Sequence, residues 1–173
     1  MAEPTGATYR PLGYGLAALI FAVDQLTKWL IMGPMELPIR MVIEVTSFFH
    51  FRWVENYGVS MGFLVAQSNS QRWMLVAATA LIAAGVAVWI WRERGRFDVI
   101  ALALVLGGAL GNITDRSRLG YVADFLGLHF GDWYPFYVYN VADAAITMGV
   151  LVLVARAFLA REPKPSAENI DAV

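Results

Sequence analysis

The chain has 173 residues and no cysteine, which excludes disulfides, thiolate nucleophiles and thiolate metal ligands and carries no information on compartment. Its two histidines, His50 and His129, leave few ligands for a transition metal, so neither a metal nor another cofactor is expected. The sequence has no H-E-x-x-H and no G-x-S-x-G, which removes the zinc-protease and serine-hydrolase signatures. Charge is scarce as well: 16% of residues are charged, against about 25% in soluble domains. A net charge of -1 supplies no basic field for nucleic acid. No internal repeat is visible.

What the chain has is apolar surface. It is 58% hydrophobic, with a mean hydropathy of +0.55, and soluble domains run at about 45–50%. Four stretches approach the roughly 20 apolar residues that cross a bilayer: 12–32, 73–91, 99–116 and 138–159. The first is too long for a signal-peptide core and lacks a small-residue cleavage site, so it reads as a retained span. Arg92, Arg94 and Arg96 between the second and third spans, with Arg156, Arg161 and Lys164 at the end of the fourth, place those ends in the cytoplasm by the positive-inside rule. Both termini are then cytoplasmic, and 33–72 and 117–137 share the outer face.

The expected fold is a mainly α membrane protein: four transmembrane helices with a small interfacial β-sheet on the outer, periplasmic side. Residues 38–54, dense in Val, Ile, Thr, Phe and Trp, supply the strands. Residues 1–160 read as one membrane-embedded domain and 161–173 as a polar, disordered tail. Phe48, Phe49, Phe51, Trp53, Trp133, Tyr134, Phe136, Tyr137 and Tyr139 fit an aromatic belt at the membrane surface. Asp98 reads as the N-cap of the third span.

Ionisable side chains inside spans cost roughly 2.5–3.5 kcal/mol each on insertion scales, so they are functional candidates by default. Asp24 and Lys28 stand one helical turn apart and can pair. In the third span Gly107 and Gly111 form a small-xxx-small pair that admits a neighbouring helix, and Asn112, Asp115 and Arg116 share the next turn. Asp124 follows in a short strand-like stretch, and Asn140 and Asp143 open the fourth span on one face. If the third and fourth spans are antiparallel neighbours, two aspartates meet in a low-dielectric site near the outer surface. Such a pair shares one proton and can activate water with one member while the other protonates a carbonyl. Spacing alone leaves Asp115 as a third candidate. It also leaves open a proton-coupled transporter that uses the carboxylates as a relay, or an assembly factor in which they only hold helices together.

Five motifs in order then resemble one family. They are Asp24-Gln25-Leu26-Thr27-Lys28; Val54-Glu55-Asn56-Tyr57-Gly58-Val59-Ser60-Met61-Gly62-Phe63; the run from Gly107 to Arg116; Val122-Ala123-Asp124-Phe125; and Asn140-Val141-Ala142-Asp143. The family is lipoprotein signal peptidase, or signal peptidase II, the bacterial inner-membrane aspartyl protease. The resemblance implies cleavage of prolipoproteins before a diacylglyceryl-modified cysteine. It implies Asp124 and Asp143 as the catalytic dyad, with Asn112, Arg116 and Asn140 supporting it. Asp24, Lys28, Asn56, Gly58, Gly108 and Asp115 match family positions with structural or substrate-positioning roles, Asp115 being held ionised by Arg116. Membrane lipids are implied partners, and globomycin-type cyclic peptides are implied inhibitors. Tyr139, Val59 and Met61 depart from the residues usual at their positions, exchanges that bear on substrate fit. Gly131-Asp132-Trp133-Tyr134-Pro135 is expected to form a lid over the dyad, with its glycine and proline permitting hinge motion.

Overall fold

The computed structural model describes residues 8–58, 68–131, 133, 135 and 137–159. The expectations for Val59 to Phe63, for Asp132, Tyr134 and Phe136, and for the tail from 161 onward lie outside the described residues.

Four long helices carry the fold: α1 (Arg10–Met32), α3 (Asn69–Arg92), α4 (Arg96–Arg118) and α5 (Val141–Leu159). Each is long and apolar enough to cross a membrane. Between α1 and α3 come a single turn, α2 (Leu37–Arg40), and the strands β1 (Val42–Glu44) and β2 (Phe49–Asn56); β3 (Val122–Leu128) separates α4 from α5. Half of the apolar window of α4 is buried, against 11–22% for the other three, so α4 is the central helix and its neighbours turn most of their surface outward. It packs on α1, α3 and α5.

Glycine sets how close those contacts are. A Cβ on Gly107 would strike the Ala17 carbonyl and Ile20 of α1, and one on Gly108 would strike the Ala142 carbonyl and Ile146 of α5. Two adjacent small residues therefore bring two different backbones onto α4, as helix packing in lipid favours. At the far end of the bundle Arg10 donates to the Trp91 carbonyl at 2.7 Å and stacks over the Trp91 ring. There too Arg156 makes a two-pronged bond to Asp98 at 2.6 and 2.9 Å. The start of α1, the α3–α4 turn and the end of α5 thus share one side, opposite the sheet.

The three strands form an antiparallel sheet in the order β1-β2-β3. Val54 lies opposite Asp124 and Asn56 opposite Val122, with a register shift between Phe51 and Val54. Tyr139 extends this ladder: it exchanges both backbone hydrogen bonds with Leu126 at 2.7 and 3.1 Å. The chain is thereby pinned to β3 two residues before it enters α5.

Three details differ from the sequence reading. Asp98 is not a cap; α4 starts two residues earlier behind Gly95, and the Asp98 carboxylate is taken up by Arg156. The second span starts at Asn69 because Ser68 and Gln71 form a reciprocal capping box. The aromatic residues also divide: Phe48, Trp133 and Tyr137 are exposed, whereas Trp53 is buried and packs with Phe51 in a cluster around Ile31, Leu37 and Phe125. Phe48 precedes β2 in the turn, where its ring is left outside the core that takes up Phe51 and Trp53.

Candidate functional site

The end of the bundle beneath the sheet holds most of the buried polar groups among the described residues: Asp24, Lys28, Asn112, Asp115, Arg116, Asp124 and Asn140 are all buried. Lys28 lies at its centre. Its ammonium contacts Asp24 at 2.8 Å and Asp115 at 2.7 Å, and it donates to Asn112 Oδ1 at 3.4 Å. Asp24 and Lys28 pair along one helix, as their spacing implies, but Asp115 has its ion partner across the bundle in Lys28. The expected partner, Arg116, instead donates to the Gly58 carbonyl at 2.6 Å.

Both carboxylates of this cluster also satisfy backbone donors. Asp24 Oδ1 accepts the Ala142 N–H at 3.0 Å, tying α1 to the first turn of α5. Asp115 Oδ2 accepts the Ala123 N–H at 3.2 Å, tying α4 to β3. Gln25, which carries no charge to mark it in the sequence, donates from Nε2 to Asp24 and to Asp115 at 3.1 Å each. The available signal was an amide beside a charged residue within an apolar span.

Asp124 and Asp143 stand beside this cluster and are joined through Asn140. Asn140 Nδ2 donates to Asp124 Oδ1 at 2.6 Å, and its Oδ1 accepts the Asp143 N–H at 2.9 Å, the bond of an N-cap. Asn56 Nδ2 donates to the other Asp124 oxygen at 3.0 Å; on β2 it lies diagonal to Asp124 and on the same face, within reach of a long side chain. Asp143 Oδ1 accepts from Asn112 Nδ2 at 2.8 Å. Each acid therefore receives at least one carboxamide N–H. Burial, and after it the charge of Asp143, pushes the Asp124 carboxyl up to about 7, against the opposing hydrogen bonds of Asn56 and Asn140.

Both acids line one cavity of about 1240 Å³. Its polar end is Asn56, Asn112, Arg116, Asp124 and Asp143; its apolar wall includes Leu75 and Ile82 of α3 and Ile146 of α5. Of the residues singled out from sequence, Gly58 enters through its carbonyl on Arg116 and Gly108 through the close approach of α4 to α5, while Asp24, Lys28 and Asp115 stand behind the cavity wall. The two histidines, far apart in sequence, meet on the sheet with ring centroids 4.8 Å apart.

Residues 16–159 match the family model described as Signal peptidase (SPase) II. The chain is 67% identical to the lipoprotein signal peptidase of Rhizorhabdus wittichii, over 95% of this chain and 96% of that one. It is 52% identical to the lipoprotein signal peptidase of Sphingopyxis alaskensis, over 92% of each. A bacterial membrane enzyme solved by the in meso method at 2.3 Å resolution superposes with a TM-score of 0.75 and 25% identity, covering 89% of this chain and 95% of its own.

Proposed function

Because the chain belongs to the signal peptidase II family, and is with it a multi-pass membrane peptidase that processes lipoproteins, we propose that Asp124 and Asp143 are its catalytic pair and act without a covalent intermediate. The observation that carries this reading is their joint position at the polar end of an otherwise apolar cavity, linked through one asparagine.

The surroundings of Asp124 support a division of roles. Burial favours the protonated form of Asp124, which makes it the acid and leaves Asp143, held by the Asn112 carboxamide, as the base. Asp143 takes a proton from water as the water oxygen bonds to the scissile carbonyl carbon, and Asp124 gives its proton to the carbonyl oxygen. The resulting gem-diol collapses as Asp143 protonates the leaving nitrogen and the C–N bond breaks. A hydroxyl proton returns to Asp124, which restores the starting state. Asn56 and Asn140 hold the Asp124 oxygens, and Asn112 holds Asp143.

The apolar wall between α3 and α5 supports the lipid preference. A diacylglyceryl chain entering sideways keeps its tails against Leu75, Ile82 and Ile146 while the peptide bond reaches the acids. The same space suits a globomycin-type cyclic peptide that carries an apolar tail. The arginines gathered at the opposite end, Arg92, Arg94, Arg96 and Arg156, support a cytoplasmic position for both termini in the bacterial inner membrane, with the sheet and the acids on the periplasmic side.

The reading is tested by offering purified enzyme one prolipoprotein peptide with and without the diacylglyceryl group on its cysteine. Cleavage before the cysteine, confined to the lipidated form, is expected. Equal rates on both forms would remove the lipid from recognition.

A further inference from the structure

Glu44, His50 and His129 are not among the residues that line the cavity of Asp124 and Asp143, yet the sheet assembles them. Glu44 lies opposite His50, and His50 lies opposite Gly127. His129 is two residues beyond Gly127, and its N–H continues the ladder by donating to the Phe48 carbonyl at 3.0 Å. Side chains alternate along strands, so all three residues project from one face, opposite the face that presents Ile43, Phe51 and Leu126 to the interfacial core. Gly127 makes room for them: a Cβ there would run into the His50 ring. Glycine at that position lets the imidazole lie across β3 towards His129.

The groups are spaced for a shared ion. His129 Nε2 and Glu44 Oε2 are 3.6 Å apart, and one ligand atom from each of the three residues lies within 4.8 Å of the others. Ligands held tetrahedrally at about 2.0–2.2 Å from zinc stand roughly 3.3–3.6 Å from each other, so movements of about an ångström close the set. Glu44 is exposed and His129 half-buried, which gives the site its freedom to move and its access to solvent. These are the chain's two histidines.

We propose that Glu44, His50 and His129 form a binding site for a divalent transition-metal ion of the zinc class, with water in the fourth position. Two imidazoles and one carboxylate suit zinc better than calcium or magnesium, which require more oxygen ligands. The ion is structural: it clamps β1 to β2 and β3, the two strands whose other ends carry Asn56 and Asp124, and it does not enter the hydrolysis.

The test uses tag-free, full-length protein in detergent, stripped with EDTA and titrated with Zn2+ by calorimetry and with Co2+ by absorption. One ion per chain, tetrahedral Co2+ bands and a Zn2+-dependent rise in Tm are expected. Glu44→Gln and His129→Gln, at the more accessible positions, should each weaken binding at least tenfold and remove the Tm response while the protein stays folded. Failure of the wild type to take up Zn2+ below millimolar concentrations overturns the proposal. So does an affinity that both substitutions leave unchanged.

Discussion

Asn140 Nδ2 donates to Asp124 Oδ1 at 2.6 Å, while the other end of the same carboxamide caps the helix that carries Asp143. One side chain therefore fixes the start of α5 and orients an acid on β3, and the two tasks are separable. Asn140→Ser keeps a good N-cap but cannot reach Asp124. It should lower the cleavage rate by about 10²-fold or more, whereas loss of the cap alone costs about 1 kcal/mol. Rate and thermal stability measured on Asn140→Ser and Asn140→Ala together distinguish them: both lose activity, and the alanine variant loses more stability.

The position of Asp124 gives a pH dependence. Its folded carboxyl titrates near 7 rather than near the ordinary 3.8, and the acid form is the one required. Activity should therefore hold as pH approaches 7 from below and fall about tenfold per unit well above it, as Asp124 loses its proton. A profile of kcat/KM that stays flat to pH 9 contradicts this assignment.

Lys28 neutralises two buried carboxylates at once. Lys28→Met fills similar space and leaves Asp24 and Asp115 without their cation, a change that costs about 3–5 kcal/mol when a buried pair is broken. Thermal unfolding in detergent should show a large drop in Tm. Removing both acids as well, in the triple variant with Asp24→Asn and Asp115→Asn, should recover part of it.

Gly108 lies against the Ala142 carbonyl, one residue before Asp143. Gly108→Ala forces α5 away from α4, at a cost of about 1–3 kcal/mol for overpacking, and moves Asp143 relative to Asp124. Cleavage should fall more steeply than stability, because a displacement of about 1 Å can cost on the order of 10²-fold in rate. Paired assays of Tm and kcat check the ratio.

Much of this architecture is legible in the sequence for a physical reason. Lipid makes long apolar runs and isolated polar or charged residues conspicuous, so the four spans and Asp24, Lys28, Asn112, Asp115, Asp124, Asn140 and Asp143 stand out. Contacts between elements do not. The partner of Asp115 is Lys28 on another helix rather than its neighbour Arg116, because reach across a bundle depends on helix rotation and glycine contacts. Trp53 and Phe48 look alike in sequence and differ in burial, because Trp53 lies within β2 and packs in the interfacial core whereas Phe48 sits in the turn before that strand. The two histidines offer no ligand spacing along the chain; only the β2–β3 register brings them together.

The most direct measurement of the account is the cleavage of a diacylglyceryl prolipoprotein peptide by purified wild type, Asp124→Asn, Asp143→Asn and Asp115→Asn, with folding of each checked by thermal unfolding. A catalytic pair of Asp124 and Asp143 requires that the first two substitutions lower the rate by on the order of 10⁴-fold or more in folded protein, while Asp115→Asn keeps measurable turnover. An active Asp124→Asn enzyme beside an inactive but folded Asp115→Asn would contradict it and move the acid pair to Asp115 and Asp143.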